Sequence, residues 1–256
     1  MTIPRDLIQL HEGLIVFGVK VQQKSSNKME KRHHIEDHVY MAFYRLIVYG
    51  ITLHRAILSL CQEGWTHITP ILIRTLMDCS VNCLAIVKNE LPEYMAFKYL
   101  YSSYIKVRND NNAFKSIKEK ATIDLDTGID HIKNPSVKNK AIEFINKGKI
   151  GAYWFNPEEK SPGAVVEHYG SHELKFQYHS FSMSVHGTHL GLFLFKDNPD
   201  EIDTNPCENP RSTKNAIIIS SRHLLELINI RNEYEQLGFD LAYKSLQAKV
   251  LAFKDE

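Results

Sequence analysis

Residues 65–89 are apolar on nearly every face of a helical projection, yet they carry His67, Arg74, Asp78 and Asn82. Spacing near 3.6 residues sets these four on one side of a helix. A helix that is hydrophobic all round belongs in an interior, where a guanidinium and a carboxylate are costly unless paired. A second stripe, Tyr178, Ser182 and His186, runs along one face of residues 173–189. The chain must therefore fold so that each stripe finds partners. Either the stripes hold helices in register or they line a site.

The rest of the pattern is helical as well. Residues 20–31 are polar and read as a loop or a frayed helix end, before a long helix from His34 to Leu60. Gln62, Glu63 and Gly64 form the turn of a helical hairpin. Pro92 suits the first turn of a helix running to Asn109. A short charged helix follows at 111–122 and a loop at 123–134. Asn134 and Pro135 open a basic amphipathic helix to Lys147. Residues 148–159 read as irregular, with aromatic residues at Tyr153, Trp154 and Phe155. Ser161 and Pro162 begin a short helix that stops at Gly170. Ser171 or His172 opens the helix of the second stripe, which Gly187 breaks or kinks before an apolar segment to Phe195. Residues 196–212 form a Pro/Asp/Asn-rich surface loop. Ser212 or Thr213 caps a helix to Gly238, and a last helix covers 239–252.

No period-two strand, hairpin dipeptide or internal repeat is evident. The expectation is an all-α fold, a single-domain bundle of about eight helices over residues 1–256. Its core is 34–195, followed by the 196–212 loop and C-terminal helices at 213–252.

A net charge of +1 gives no bulk attraction to nucleic acid or anionic membrane. Cys61, Cys79, Cys83 and Cys207 make no CxxC pair, and Cys79 and Cys83 stand i,i+4 on an apolar helix. They read as reduced thiols in a cytoplasm. The apolar run 14–19 is too short for a signal peptide or a span, and Arg74 and Asp78 interrupt the longest apolar stretch. No transmembrane helix is expected.

The stripes have a definite chemistry. Arg74 and Asp78 suit either an intrahelical pair or an anion site in which Asp78 orients a guanidinium fork toward carboxylate or phosphate. Tyr178, Ser182 and His186 supply a phenol, a hydroxyl and an imidazole, enough for two donors and a general acid or base. They are equally able to serve as hydrogen bonds between helices. Ser182 and His186 on one helix make no triad, since no acid follows at a predictable place.

The segment GWTHITPILIRTLMDCSVNCLAI resembles a motif of a bacterial family catalogued as domain of unknown function 5677, in which an Arg is followed four residues later by an acid. That acid is more usually Glu, so Asp78 is a shorter variant. WFNPEEKSPGAVVEHYGSHELKFQYHSFSMSVHGTHLGL resembles the family's second motif, matched by Trp154, Tyr178, Ser182, His186 and Gly187. The likeness spans about residues 40–195. It implies an all-helical fold and one joint constellation of the two stripes, with no established activity.

Other motifs are weaker. Glu30, His34 and His38 share a helical face that suits a divalent metal, but Lys31 and Arg32 beside them suit a solvated, charged helix start. Glu30 and His33 give only one of the two Glu-x-x-His elements of a di-metal carboxylate bundle. Arg5 and His11 fit the Arg-to-His spacing of HEPN ribonucleases, although a chain with 13 histidines is expected to contain such a spacing by chance. The basic helix to Lys147 and the aromatic residues 153–155 suit single-stranded nucleic acid, or a solvated helix with an aromatic anchor. Gly-rich phosphate loops and nucleophile elbows are missing from the sequence.

The leading expectation is metal-independent RNA cleavage or phosphate binding by Arg74, Asp78, Tyr178, Ser182 and His186, without a cofactor. The partner would be RNA or a phosphate-bearing small molecule. By fold-level analogy, such a protein is a bacterial cytoplasmic toxin or phage-defence effector. The alternative is a non-enzymatic helical binding or assembly module with a structural polar cluster. The apolar face of 217–237 suits a homodimer or the protein's own core.

Overall fold

The computed structural model describes residues 3–32, 37–147, 162–185 and 210–253. Among them it is all-α, with ten α-helices and no strand. They are α1 (Arg5–Arg32), α2 (His38–Gln62), α3 (Thr69–Val87), α4 (Pro92–Asn109), α5 (Lys115–Asp130), α6 (Pro135–Lys147), α7 (Pro162–Tyr169), α8 (His172–Val185), α9 (Pro210–Glu235) and α10 (Asp240–Ala252). A 3-10 turn, Thr66–Ile68, precedes α3.

Local chemistry sets most boundaries. The Asp37 carboxylate accepts from the Val39 and Tyr40 amides at 2.8 and 3.1 Å and caps α2. Asn134 caps α6 through the Ser136 amide at 2.9 Å, and Ser171 caps α8 through the Leu174 amide at 3.2 Å. Gly64, at φ +81°, lets the chain reverse after α2. Residues 20–31, expected as a loop or a frayed helix end, and 123–130, expected as part of a loop, are both helical. Residues 20–31 continue α1, with Val21 and Ser25 buried, and 123–130 complete α5, with Leu125 buried. Conversely, residues 65–68 are a turn rather than the start of the α-helix.

The described chain forms two compact units. The first comprises Met1–Lys28, Leu46–Ser80 and Ser171–Glu256. Leu14, Ile57, Leu76, Met77, Leu224 and Ile228 are buried in it. Burying one such side chain contributes about 1.5–3 kcal/mol. Gly50 of α2 packs tightly against α9, since a Cβ there would lie 2.6 Å from Leu227 Cδ2. Ile217, Leu224, Leu227 and Ile228 of α9 are core residues.

Polar groups also enter this interior. Arg231 has no exposed surface. Its Nε donates to Glu235 Oε1 at 2.8 Å and its Nη2 to Ser25 Oγ at 2.6 Å. Ser25 in turn donates to Glu235 Oε2, and Lys28 Nζ donates to the Glu235 carbonyl. Asn232 closes the α9–α10 corner, accepting from the Phe239 amide at 3.0 Å and donating to Asp240 at 2.9 Å. His11 stacks on His54 at 3.8 Å between centroids, and His54 Nδ1 lies 3.1 Å from Ser220 Oγ.

The second unit comprises Met29–Arg45 and Val81–Gly170. Phe97 and Ile105 of α4, Leu125 of α5 and Val137, Ala141 and Phe144 of α6 form its core. His38 is buried there, edge-on to Phe97 and Tyr101.

Residues Thr66–Val87 are long and apolar enough to cross a membrane by length and composition, but 56% of that window is buried within the protein. This is the burial expected of a core helix.

Two predictions follow from the buried polar groups. Burial, reinforced by Arg55, lowers the His11 pKa to about 4. Burial also lowers His38 to about 4 against the opposing Asp37 charge, and burial, with His11, holds His54 well below 6.5. The unfolded chain gains protons below pH 6.5 that these folded rings refuse. Their contribution is therefore complete above pH 6.5 and is lost as pH falls toward 4. The loss should total on the order of a few kcal/mol, visible as a falling Tm. Separately, Arg231→Ala should destabilise by about 3–5 kcal/mol in urea unfolding, because it leaves Glu235 buried without its cation. Arg231→Met combined with Glu235→Leu should recover most of that loss.

Candidate functional site

Helices α3 and α8 bring four of the five expected site residues together within the first unit. Arg74 and Asp78 stand one turn apart on α3, and Arg74 Nη1 lies 2.5 Å from Asp78 Oδ1. Arg74 Nε donates across to Ser182 Oγ at 2.9 Å. Ser182 Oγ in turn donates a hydrogen bond to the Tyr178 carbonyl at 2.8 Å. The Tyr178 hydroxyl donates to Asp78 Oδ1 at 3.3 Å. The guanidinium lies over the Tyr178 ring, with Cζ 3.2 Å from its centroid. One cation is thus held by a carboxylate, a hydroxyl and an aromatic face.

The cluster is recessed but not sealed. Side-chain exposure is 12% for Arg74 and 32% for Asp78, whereas Tyr178 is buried. Partial burial raises the Asp78 pKa, and the hydrogen bond and charge of Arg74 oppose the rise. The pair can orient an anion at the guanidinium, or hold or release a proton at the carboxylate.

His67 is in the 3-10 turn, its ring 5.7 Å from that of Trp65. Asn82 lies two turns beyond Arg74 in the part of α3 that belongs to the second unit. His186, Gly187 and Trp154 lie outside the described residues.

The weaker motifs divide similarly. His34 is outside the described residues, and His38 is a core ring rather than part of an exposed face. Among the described residues no group of three or more His, Cys, Asp or Glu is placed to hold a metal ion. Cys79 is buried, and burial, with Asp78 beside it, raises its pKa to about 12, so it is an inert thiol. Helix α6 buries Val137, Ala141 and Phe144. Its Lys138 pairs with Asp130 and its Lys147 with Glu143, while the aromatic residues 153–155 lie outside the described residues.

Sequence reasoning missed the other face of α8. There Glu173 meets Arg222 at 2.6 and 2.9 Å, and Gln177 meets His223 at 2.8 Å. The available signal was the i,i+4 spacing of Glu173 and Gln177, a second polar stripe on the same short helix.

These features define an all-helical protein with a recessed Arg–Asp/Tyr–Ser cluster. Residues 40–202, well over half the chain, match the family of unknown function DUF5677, and the protein belongs to that family. No curated protein and no solved structure matches the chain.

The geometry predicts an order of sensitivity. Asp78→Asn weakens the charge opposite a recessed Arg74 and should cost about 1–3 kcal/mol. Tyr178→Phe removes a 3.3 Å hydrogen bond but keeps the ring, and should cost about 1 kcal/mol or less. Tyr178→Ala also removes the ring and should cost about 3 kcal/mol or more. Urea unfolding of the three variants checks the ranking.

Proposed function

We propose that the Arg74 cluster binds a phosphate group and that the protein cleaves RNA by metal-independent chemistry. The supporting observation is the convergence of Arg74, Asp78, Tyr178 and Ser182 from two distant segments, with Arg74 and Asp78 still reached by solvent. Asp78 and Tyr178 fix the guanidinium before a ligand arrives, which is the preorganisation that phosphoryl chemistry rewards. Arg74 holds the phosphate, and Ser182 and Tyr178 supply hydrogen bonds. His186, one helical repeat beyond Ser182 in sequence, takes the proton of the attacking 2′-hydroxyl. The 2′-oxygen bonds to phosphorus, the bond to the 5′-oxygen breaks, and solvent protonates the leaving oxygen. The products are a 2′,3′-cyclic phosphate and a 5′-hydroxyl. In a bacterial cytoplasm such an activity belongs to a toxin or phage-defence effector.

A second reading has its own support. Arg74 already meets Asp78, Ser182 and the Tyr178 ring, which suits a clamp joining α3 to α8 in a non-enzymatic binding or assembly module, a homodimer included.

The test is incubation of labelled RNA with wild type, Arg74→Ala and His186→Ala in EDTA. Wild type should give fragments ending in 2′,3′-cyclic phosphate. His186→Ala should lose at least roughly 100-fold in rate, with its Tm within a few degrees of wild type. No cleavage by wild type and no binding of inorganic phosphate, with Arg74→Ala strongly destabilised, would establish the clamp instead.

A further inference from the structure

Helices α3 and α8 cross antiparallel at the Arg74 cluster, because Arg74 meets Ser182 while Asp78, one turn later, meets Tyr178, one turn earlier. Exposure on α8 rises away from that contact. On a helical projection Lys175 lies about 20° round from Ser182, His179 about 60°, His172 about 80° and Phe176 about 120°, all in one direction. Tyr178 is buried and Ser182 and Lys175 are half-buried, whereas His179 and His172 are exposed and Phe176 is 69% exposed. On α3 solvent reaches Asp78 more freely than Arg74. A band of side chains therefore runs from the recessed guanidinium over the rim of α8 to an aromatic ring in solvent.

The band carries two chemistries in order. The cations come first. Lys175 stands seven residues before Ser182, about 10 Å along the helix, so its ammonium can meet a phosphate further along a strand seated on Arg74. Glu173, the single acid of α8, lies on the other side of the helix, where Arg222 engages it at 2.6 Å. The rings follow. His179 is edge-on to Tyr178 at 6.0 Å between centroids, and Phe176 neighbours both His179 and His172 by i,i+3 and i,i+4 spacing. A lone exposed apolar residue is ordinary on a protein surface. This one sits between two imidazoles, on the helix that carries half of the candidate site.

A small phosphate ester would use Arg74 and leave these rings idle. A duplex keeps its bases stacked on one another and offers mainly backbone. A single strand supplies both partners, phosphates for the cations and splayed bases for the ring faces. We infer that the substrate class of the Arg74 site is single-stranded RNA, with one phosphate on Arg74, another on Lys175 and a base stacked on Phe176 between His172 and His179. This inference rests on the phosphate-binding reading of the Arg74 cluster.

The test is fluorescence anisotropy on the full chain with a labelled short 2′-O-methyl oligoadenylate, which lacks the attacking hydroxyl and stays intact. The same strand annealed to its complement gives the duplex arm, and calorimetry with inorganic phosphate reports the Arg74 site separately. Wild type should bind the single strand at least about tenfold more tightly than the duplex. Phe176→Ala should weaken single-strand binding about fivefold or more, and Phe176→Tyr should restore it. Since Phe176 is exposed, Phe176→Ala should keep the wild-type Tm. Lys175→Gln should reduce the slope of log affinity against log salt by about 0.7. Ile123→Ala, which removes an apolar side chain of similar exposure from α5, should bind as wild type does. Phosphate binding by wild type, combined with equal duplex affinity or an unchanged Phe176→Ala, overturns this inference and leaves the Arg74 reading standing. Failure of wild type to bind phosphate or either nucleic acid overturns both.

Discussion

A wholly buried guanidinium constrains the first unit more than any single apolar contact. Arg231 has no access to water, so its charge must be met inside the protein. Glu235, one turn along α9, meets it directly, and Ser25 of α1 bridges the two. Ser25 can do so only if α1 remains helical this far from its start and arrives in one register. A slip by one residue would turn Ser25 away and put a different side chain beside the ion pair. Hydrophobic packing tolerates such slips more readily, because apolar contacts are less directional. Next to Arg231, Asn232 directs the chain from α9 into α10, so this short stretch fixes both the α1 register and the C-terminal corner.

The same interaction explains where sequence reading failed. Residues 20–31 look like a loop or a frayed helix end because Gln22, Ser25 and Lys28 interrupt the apolar period. In the fold the inward face of that segment is partly polar, matched by Arg231 and Glu235, and hydropathy cannot register a polar face that is satisfied internally. Residues 123–130 misled for a different reason. Asp126 is exposed and Asp124 half-buried on an ordinary helix whose buried side is Ala121, Leu125 and Gly128. The capped starts at Asn134 and Ser171, and the turn at Gly64, were legible because each rests on one local residue type.

Site legibility followed the same division. Arg74 and Asp78 pair by helical spacing alone, and the match of both stripes to one family placed Tyr178 and Ser182 opposite them. The stacking of the guanidinium on Tyr178 was not legible, since it depends on the separation and rotation of two helices. The contact of α8 with α9 was invisible for a related reason. Gln177 and His223 are common surface residues, and only tertiary packing buries His223 against Gln177.

Holding α3 against α8 and binding a phosphate are compatible tasks for Arg74. The edge of the guanidinium meets Asp78 through an ion pair at Nη1 and Ser182 through a hydrogen bond from Nε. The Tyr178 ring takes the face of the group rather than its edge. Such a clamp prevents the side chain from rotating away, so less rotamer entropy remains to be lost on binding. Partial burial also strengthens the attraction between Arg74 and an incoming anion relative to bulk water. Asp78 pulls the other way, since its negative charge repels the same anion while it orients the cation. On the proposed reading, the clamp and the site therefore draw on one arrangement.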